Sequence, residues 1–577
     1  MTINEKKWFA GSLGIIVLSS LFLISVYTLK HRIEIPTSGG NYTEALIGSP
    51  RFINPLYAPT NDADADLTRL LYSGLVKWKP TEGYVNDLAD SMNVNADQTQ
   101  YTFHIRPNAT FSNGEPVQAR DVVFTYSAIQ NPEYRSPLIS YFKNVKIEQV
   151  NDQTVSFTLS EASPTFSKRL TVGILPENLW SDVLPQNAPL ASLNLQPVGS
   201  GPYIFSEFSK DKKGSIRSYT LKRNNHYYNQ PAKIDELIFK FYSDEESASQ
   251  ALVNKNVEGV GYVAFEHRST ALNNHNVNAV FATIPRSTNL FFNPQNAILK
   301  NPAVRLAIAK AIDKNSIIKT ILDSHATVLN GPIMIGSTGY DASFTANEFD
   351  PANAITTLES AGYVKPEGST WRIIPVAPAI TPKTSNKKNK KKTEAPVAPV
   401  VPVQPPSNVS FTLTTVSNDE FSKVAEEIKN ELEKIGIQIT IKTVAADHLM
   451  SDVVNPQTYD LLLAAEFAGA DDDPYLYWHS SEIKTDERNI IHYQNKDVDS
   501  LLEKAHTTPN ETDRSTIYRQ FQNLMIKDAP AVFLYQSTYT YAIGKKVHFT
   551  APNFLRVPSD RFADVTDWYV KTKKILK

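Results

Sequence analysis

Apolar and polar positions alternate along most of this chain in two rhythms, and the rhythms predict its elements. Tyr101, Phe103 and Ile105 alternate with Thr102, His104 and Arg106, the period of a half-buried strand, and Asn113-Gly114 supplies a tight turn beyond it. Val122, Val123, Tyr126 and Ile129 then fall on one side of a predicted helix, with Asp121 in its first turn and Pro132 past its end. Further strands are predicted at Tyr42 to Ile47 and within Asn151 to Ser160.

A second helix fits Pro302 to Ile312. Asn301 stands as N-cap, proline occupies the first helical position, and Val304, Ala307, Ile308, Ala311 and Ile312 make the stripe. Val409 to Thr414 alternates as a strand. Phe421, Val424, Ile428, Leu432 and Ile435 mark one helix face, and Gly436 stops that helix. Ile437, Ile439 and Ile441 alternate again, and the run YDLLLAAEF reads as a continuously buried strand. This order predicts an α/β lobe with a largely parallel sheet.

Two segments depart from these rhythms. Trp8 to Leu29 is 22 residues without a charge, enough for a helix to cross a bilayer, and no small-residue cleavage pattern follows it. It reads as an uncleaved anchor over 8–29, with a cytoplasmic tail at 1–7 and a polar spacer at 30–40. Lys6 and Lys7 on one side balance Lys30 and Arg32 on the other. The very short N-terminal tail therefore decides the expected orientation, single-pass in the cell membrane with the bulk of the chain outside the cytoplasm. The second segment, 373–407, is rich in proline and lysine, cannot build a core, and is expected to be a disordered insertion interrupting a lobe.

Composition is that of a globular protein, 41% hydrophobic and 20% charged, and 577 residues allow two to four lobes. Net charge is −2, but the insertion carries +5, so the rest carries −7 and a nucleic-acid partner is not expected. The absence of cysteine removes disulfides, thiolate metal sites and a lipid-modified N-terminal cysteine. No G-x-S-x-G, P-loop or H-E-x-x-H occurs, and the eleven histidines are scattered. EGVGYVA matches a dinucleotide fingerprint only nominally, because it follows a helical stretch, Glu245 to Val253, instead of opening a helix. No enzyme activity, cofactor or metal site is therefore expected.

The densest chemistry lies in AGADDDPYLYW, Ala468 to Trp478. Asp471, Asp472 and Asp473 are hard oxygen ligands, yet adjacent side chains diverge and no calcium-loop register follows. One buried carboxylate would suffice to anchor a cation such as a peptide amine, with Phe467, Tyr475, Tyr477 and Trp478 as an apolar wall. A solvated, helix-capping loop is the alternative.

Seven blocks in order give a resemblance to a known family. They are FINPLYAPTNDADADLTRLLYSGLVKW, LADSMNVNADQTQYTFHIRPNATFSNGEPVQARDVVFTY, VGSGPY, NPAVRLAIAKAID, FDPANAITTLESAGY, NKDVDSLLEKA and KDAPAVFLY. From about Tyr42 to Val547 the chain resembles the family 5 extracellular solute-binding proteins of ABC importers, the peptide- and nickel-binding group. The resemblance implies an α/β, two-lobed periplasmic-binding-protein-like fold of the type II cluster C style. Lobe one would hold 41–75, 196–283 and 540–577, an extra subdomain 76–195, and lobe two 284–539. It also implies capture of di- or oligopeptides for a membrane permease, by a monomer. In peptide-binding relatives the stretch matching Phe467 to Pro474 has a tryptophan at the position of Phe467. An aspartate that grips the peptide amine follows, and it aligns with Ala470. Asp471, one position on, is its candidate replacement, and the ligand-binding candidates are Phe467, Asp471, Asp472, Tyr475, Asn293 and Asn54. A surface scaffold on the same fold, or a receptor for an oligosaccharide or nickel complex, is the alternative reading.

Overall fold

Two long strands, Val277–Phe292 and Ala531–Gly544, are apolar and buried through most of their length, and they pair antiparallel from Val277 opposite Gly544 to Phe291 opposite Ala531. The computed structural model that shows this describes residues 2–30, 32–375, 407–469, 473–483 and 488–576. Both strands are long enough to run through two lobes. The ladder breaks between Thr283 and Ser287, where Pro285 has no amide to give. Gln536, fully buried, fills the gap: its amide nitrogen donates to the carbonyls of Ile284 (2.9 Å) and Ile335 (3.1 Å), and its oxygen accepts from the Ile335 amide (2.7 Å).

One eleven-stranded sheet grows outward from this pair, with the short strand Ala326–Val328 paired onto Ala531–Gly544 off the main order. On the lobe-two side come Leu461–Phe467, then Ser410–Val416, then Gln438–Val444. On the other side come Gly259–Val260, Asn41–Ile47, Glu236–Tyr242, Ile216–Arg223 and Tyr203–Lys210. The three outer strands of lobe two are mutually parallel, but Leu461–Phe467 meets the crossing strand antiparallel. The sheet is therefore mixed, not largely parallel. A chain that crosses between lobes and returns as a direct neighbour must run antiparallel to itself.

The apolar cores separate at the ladder break. One draws on residues 42–284 and 539–568 and includes the small antiparallel sheet made by Ala89–Val94, Gln100–Ile105, Thr154–Thr158 and Lys146–Asn151. Two others draw their buried members from residues 290–535. The helix Ala119–Gln130 packs Val122, Tyr126 and Ile129 inward, with the Tyr126 ring 5.2 Å from Phe157 at its edge. Asp121, at N3, accepts from the Gln118 amide (2.8 Å), the reciprocal bond of a capping box. Asn301 caps Pro302–Ala311 through the Ala303 amide, and Gly436 (φ +83°) closes Asp419–Lys434.

The N-terminal apolar segment is a helix, Ile3–Lys30, and its described side chains are almost all exposed. It contains a stretch, Ile3–Leu23, long and apolar enough to cross a membrane. The 30–40 spacer is not irregular: Arg32–Thr37 is a strand, paired antiparallel with Lys571–Leu576. Arg32, Ile33, Glu34 and Ile35 carry too few apolar positions to register as a strand in sequence, and the pairing comes from the far end of the chain. Residues 376–406 lie outside the described residues. The two ends of the insertion meet, with Ile373 bridged to Asn408 and the Ile374 amide donating to the Ser407 carbonyl. Arg372, buried beside this neck, donates to the carbonyls of Ile435 and Tyr363.

Arg561 ties lobe one together. Its guanidinium donates to Glu44 and Asp66, at 2.7 Å in each case, and all three side chains are buried. The hydroxyls of Tyr42 (3.0 Å) and Tyr541 (2.8 Å) donate to the other Glu44 oxygen. Burial pushes the Asp66 carboxyl up, Arg561 pulls it back, and it settles at about 6. Gly261 passes so near that a Cβ there would lie 2.8 Å from the Arg561 guanidinium. The glycines of EGVGYVA thus allow backbone to approach a buried ion cluster. Replacing Arg561 with Met leaves two carboxylates buried without a cation. A loss of about 3–5 kcal/mol is expected, read as a lower urea midpoint for lobe one.

Candidate ligand-binding cleft

A cavity of about 490 Å³ opens between the lobes. Its floor is the helix Asp62–Leu71, which Asn61 caps through the Ala63 amide, and which turns Asp62, Asp66 and Arg69 toward the space. The subdomain adds Tyr141, Lys168 and Arg169, the C-terminal segment adds Arg556 and Asp560, and lobe two adds Phe467, Ala468, Gly469 and Arg488. Elements hundreds of residues apart converge because both lobes hang from the same two strands.

Most lining charges are already matched. Arg556 holds Asp560 in a two-pronged contact (2.9 and 3.0 Å) and lies over the Tyr84 ring at 4.7 Å. Lys77 meets Asp87 at 3.0 Å, and Asp66 belongs to Arg561. Among the described residues Asp62, exposed at the start of its helix, has no ion-pair partner. Across the cleft, Arg488 donates to the hydroxyls of Tyr141 (3.0 Å) and Tyr477 (2.6 Å), and Tyr477 donates to the Phe467 carbonyl (3.1 Å). This chain joins subdomain to lobe two at the cavity wall. Arg488 and Tyr141 carried no signal in sequence, because neither sits in a motif and 347 positions separate them.

The sequence candidates fall in different places. Phe467 lines the cavity and is 42% exposed, an aromatic face open to a ligand. Asp471 and Asp472, with Ala470, lie outside the described residues. Tyr475 does not line the cavity: its ring stacks on His479 at 4.1 Å and its hydroxyl meets Ser481. Asn54 is fully buried, accepts from the Leu56 amide and donates to Asn194, which shapes the turn beside lining residue Pro55. Asn293 donates to the carbonyls of Gln457 and Tyr459 and accepts from the Gln295 amide, so its side chain fastens a loop of lobe two. Neither asparagine lines the cavity.

Asp473 is a clamp for the loop itself. One of its oxygens meets His506 Nδ1 at 2.7 Å, and the other accepts from the Tyr475 amide (3.0 Å). Burial acts to raise the Asp473 carboxyl, but His506 and the Tyr475 amide outweigh it and hold it below its ordinary 3.8. The bond to Asp473 lifts His506 above its ordinary 6.5. No group of three or more His, Cys, Asp or Glu able to hold a metal occurs among the described residues.

A family model described as bacterial extracellular solute-binding proteins, family 5 Middle, matches residues 83–486. The chain belongs to this family. It is 26% identical over 513 residues to the oligopeptide-binding protein AppA of Bacillus subtilis (strain 168), covering 87% of each chain. The structure of that AppA in complex with a nonapeptide superposes with a TM-score of 0.69 at 24% identity, over 93% of this chain and 100% of the other. NikZ from Campylobacter jejuni, in complex with Ni(L-His), gives a TM-score of 0.72 at 25% identity over 92% and 99%. A dipeptide-binding protein of Escherichia coli (strain K12) is 23% identical over 526 residues, 87% of this chain and 90% of its own. The two-lobed α/β architecture is thus that of the family.

Two titrations follow. Asp473, depressed, stabilises the loop above 3.8 and loses that contribution as pH falls through its folded value. His506, raised, contributes fully below 6.5 and loses it as pH rises through its folded value. Loop protection against amide exchange should therefore peak between about pH 4 and 6.5. Asp473→Asn should remove the peak at a cost of about 2 kcal/mol, given that His506 is partly exposed. Glu466, one position before Phe467, is buried against Asn289, and burial pushes its carboxyl up to about 8. The folded protein holds this proton from about 4.5 to 8, so stability falls with rising pH across that window. Glu466→Gln should flatten the fall, read by thermal melts at pH 5 and pH 8.

Proposed function

We propose that this chain is the substrate-binding component of an ABC importer and captures short peptides between its lobes. The carrying observation is the cleft: a wall of apolar rings and pre-paired charges, closed from the lobe-two side by Phe467 and Arg488. A volume near 490 Å³ falls within the ~300–1,000 Å³ of small-molecule sites and suits a ligand of few residues. Its relatives, oligopeptide- and dipeptide-binding, favour the same class. Closure is a change of bend at the ladder break, biased by whatever the ligand gains from touching both lobes. The protein does no chemistry on the ligand and hands it to a permease. It works as a monomer held at the extracytoplasmic face of the membrane by the helix Ile3–Lys30. A nickel complex is the second reading, favoured by the likeness to NikZ.

Native mass spectrometry of the full chain, purified in detergent with no ligand added, tests this. Co-purifying masses released by denaturation and sequenced as short peptides are expected. A single metal-containing mass would move the assignment to the second reading, and a clean apo mass with no thermal shift against a peptide library would overturn both. Amine anchoring then has two candidate carboxylates, Asp62 on the floor and Asp471. Neutralising the one in use, as Asp62→Asn or Asp471→Asn, should weaken peptide binding about 10–100-fold by calorimetry.

A further inference from the structure

The ribbon formed by Arg32–Thr37 and Lys571–Leu576 begins one residue after the helix Ile3–Lys30 ends. Opposed residues of an antiparallel pair share a face. One face therefore carries, from the helix outward, Ile33 with Ile575, then Ile35 with Lys573, then Thr37 with Lys571. The other carries Arg32 at its start, then Glu34 with Lys574. Ile33 and Ile575 are 41% and 37% exposed, although they face each other in a hydrogen-bonded ribbon, and Lys571, Lys573 and Lys574 are exposed too. None of these residues belongs to a buried core cluster.

Beyond Arg32 at its start, the ribbon passes from apolar Ile33 and Ile575 to basic Lys574, Lys573 and Lys571, which matches the passage from acyl chain to phosphate in a bilayer. At about 3.4 Å per residue, Lys574 and Lys573 stand about 7–10 Å along the ribbon from its start at the helix. That distance is comparable to the depth of the headgroup layer and within about one Debye length of its charge. Glu34 is the only acid of the ribbon, 3.5 Å from Lys574, and offsets just one of the four cations Arg32, Lys571, Lys573 and Lys574.

We infer that this ribbon is a membrane-docking element: Ile33 and Ile575 enter the interface, and Arg32, Lys573 and Lys574 bind the phosphates of anionic lipid headgroups. The inference rests on the membrane-anchor reading of the helix Ile3–Lys30. Because one strand is the C-terminus of lobe one, docking fixes how the cleft is presented above the bilayer, where a lone flexible tether would leave it free to tumble.

The test is amide hydrogen exchange on the full chain in nanodiscs of phosphatidylcholine alone and of phosphatidylcholine with phosphatidylglycerol. Ribbon amides should exchange about tenfold more slowly in the anionic discs. Lys573→Gln with Lys574→Gln should abolish the difference while the chain stays in the discs and its melting temperature holds. Equal exchange in both lipids, with the chain retained, would overturn the docking element and leave the anchor standing. A chain that elutes free of both discs would overturn the anchor and the docking element together. A difference that survives in the double variant would show that other residues bind the lipid, and would overturn the assignment to these lysines.

Discussion

One antiparallel ladder carries both lobes, and its interruption shapes everything around it. Pairing of Val277–Phe292 with Ala531–Gly544 is interrupted from Thr283 to Ser287, and its register shifts once more between Thr288 and Asn289. A continuous ladder would make the two lobes one stiff slab, and two separate sheets would leave them unregistered. At the break Gln536 satisfies the Ile284 carbonyl, which the interrupted ladder would otherwise orphan, and ties the amide and carbonyl of Ile335 to the same point.

The cleft inherits its character from that arrangement. Its floor belongs to lobe one, where acids are neutralised in place by Arg561, Arg556 and Lys77. A ligand thus meets a wall whose local charges are largely balanced, with Asp62 as the carboxylate lacking an ion pair among the described residues. Lobe two contributes an exposed Phe467 and an arginine that reaches the subdomain. Asp473, by contrast, does not line the cavity and fastens the loop to His506, so this member of the acidic run is structural.

At the centre of lobe one, buried charge is held in company. Arg561 serves Glu44 and Asp66, and those two residues come from the first strand of the sheet and the floor helix. The result couples the C-terminal segment to the cavity floor. Two tyrosine hydroxyls complete the shell of Glu44, as the low local dielectric requires.

Local patterning was enough for elements whose instructions lie within a few residues. Tyr101, Phe103 and Ile105 announce their strand, and Asn301-Pro302 its helix start, because period and capping act over one or two turns. The ordered blocks likewise made the family legible, and with it the two lobes and the place of Phe467 in the cleft. What the sequence could not hold was any contact whose partners are far apart and individually ordinary. Arg32–Thr37 reads as spacer until Lys571–Leu576 arrives to pair with it, and DDDP reads as three equal carboxylates until His506 singles out Asp473. Asn54 falls within the first family block and Asn293 is a second candidate, yet folding spends their hydrogen bonds on turns and a loop. Short-range sterics and periodicity are written residue by residue, whereas the energies that choose between equivalent polar groups arise only when the folded chain brings their partners within about 3 Å.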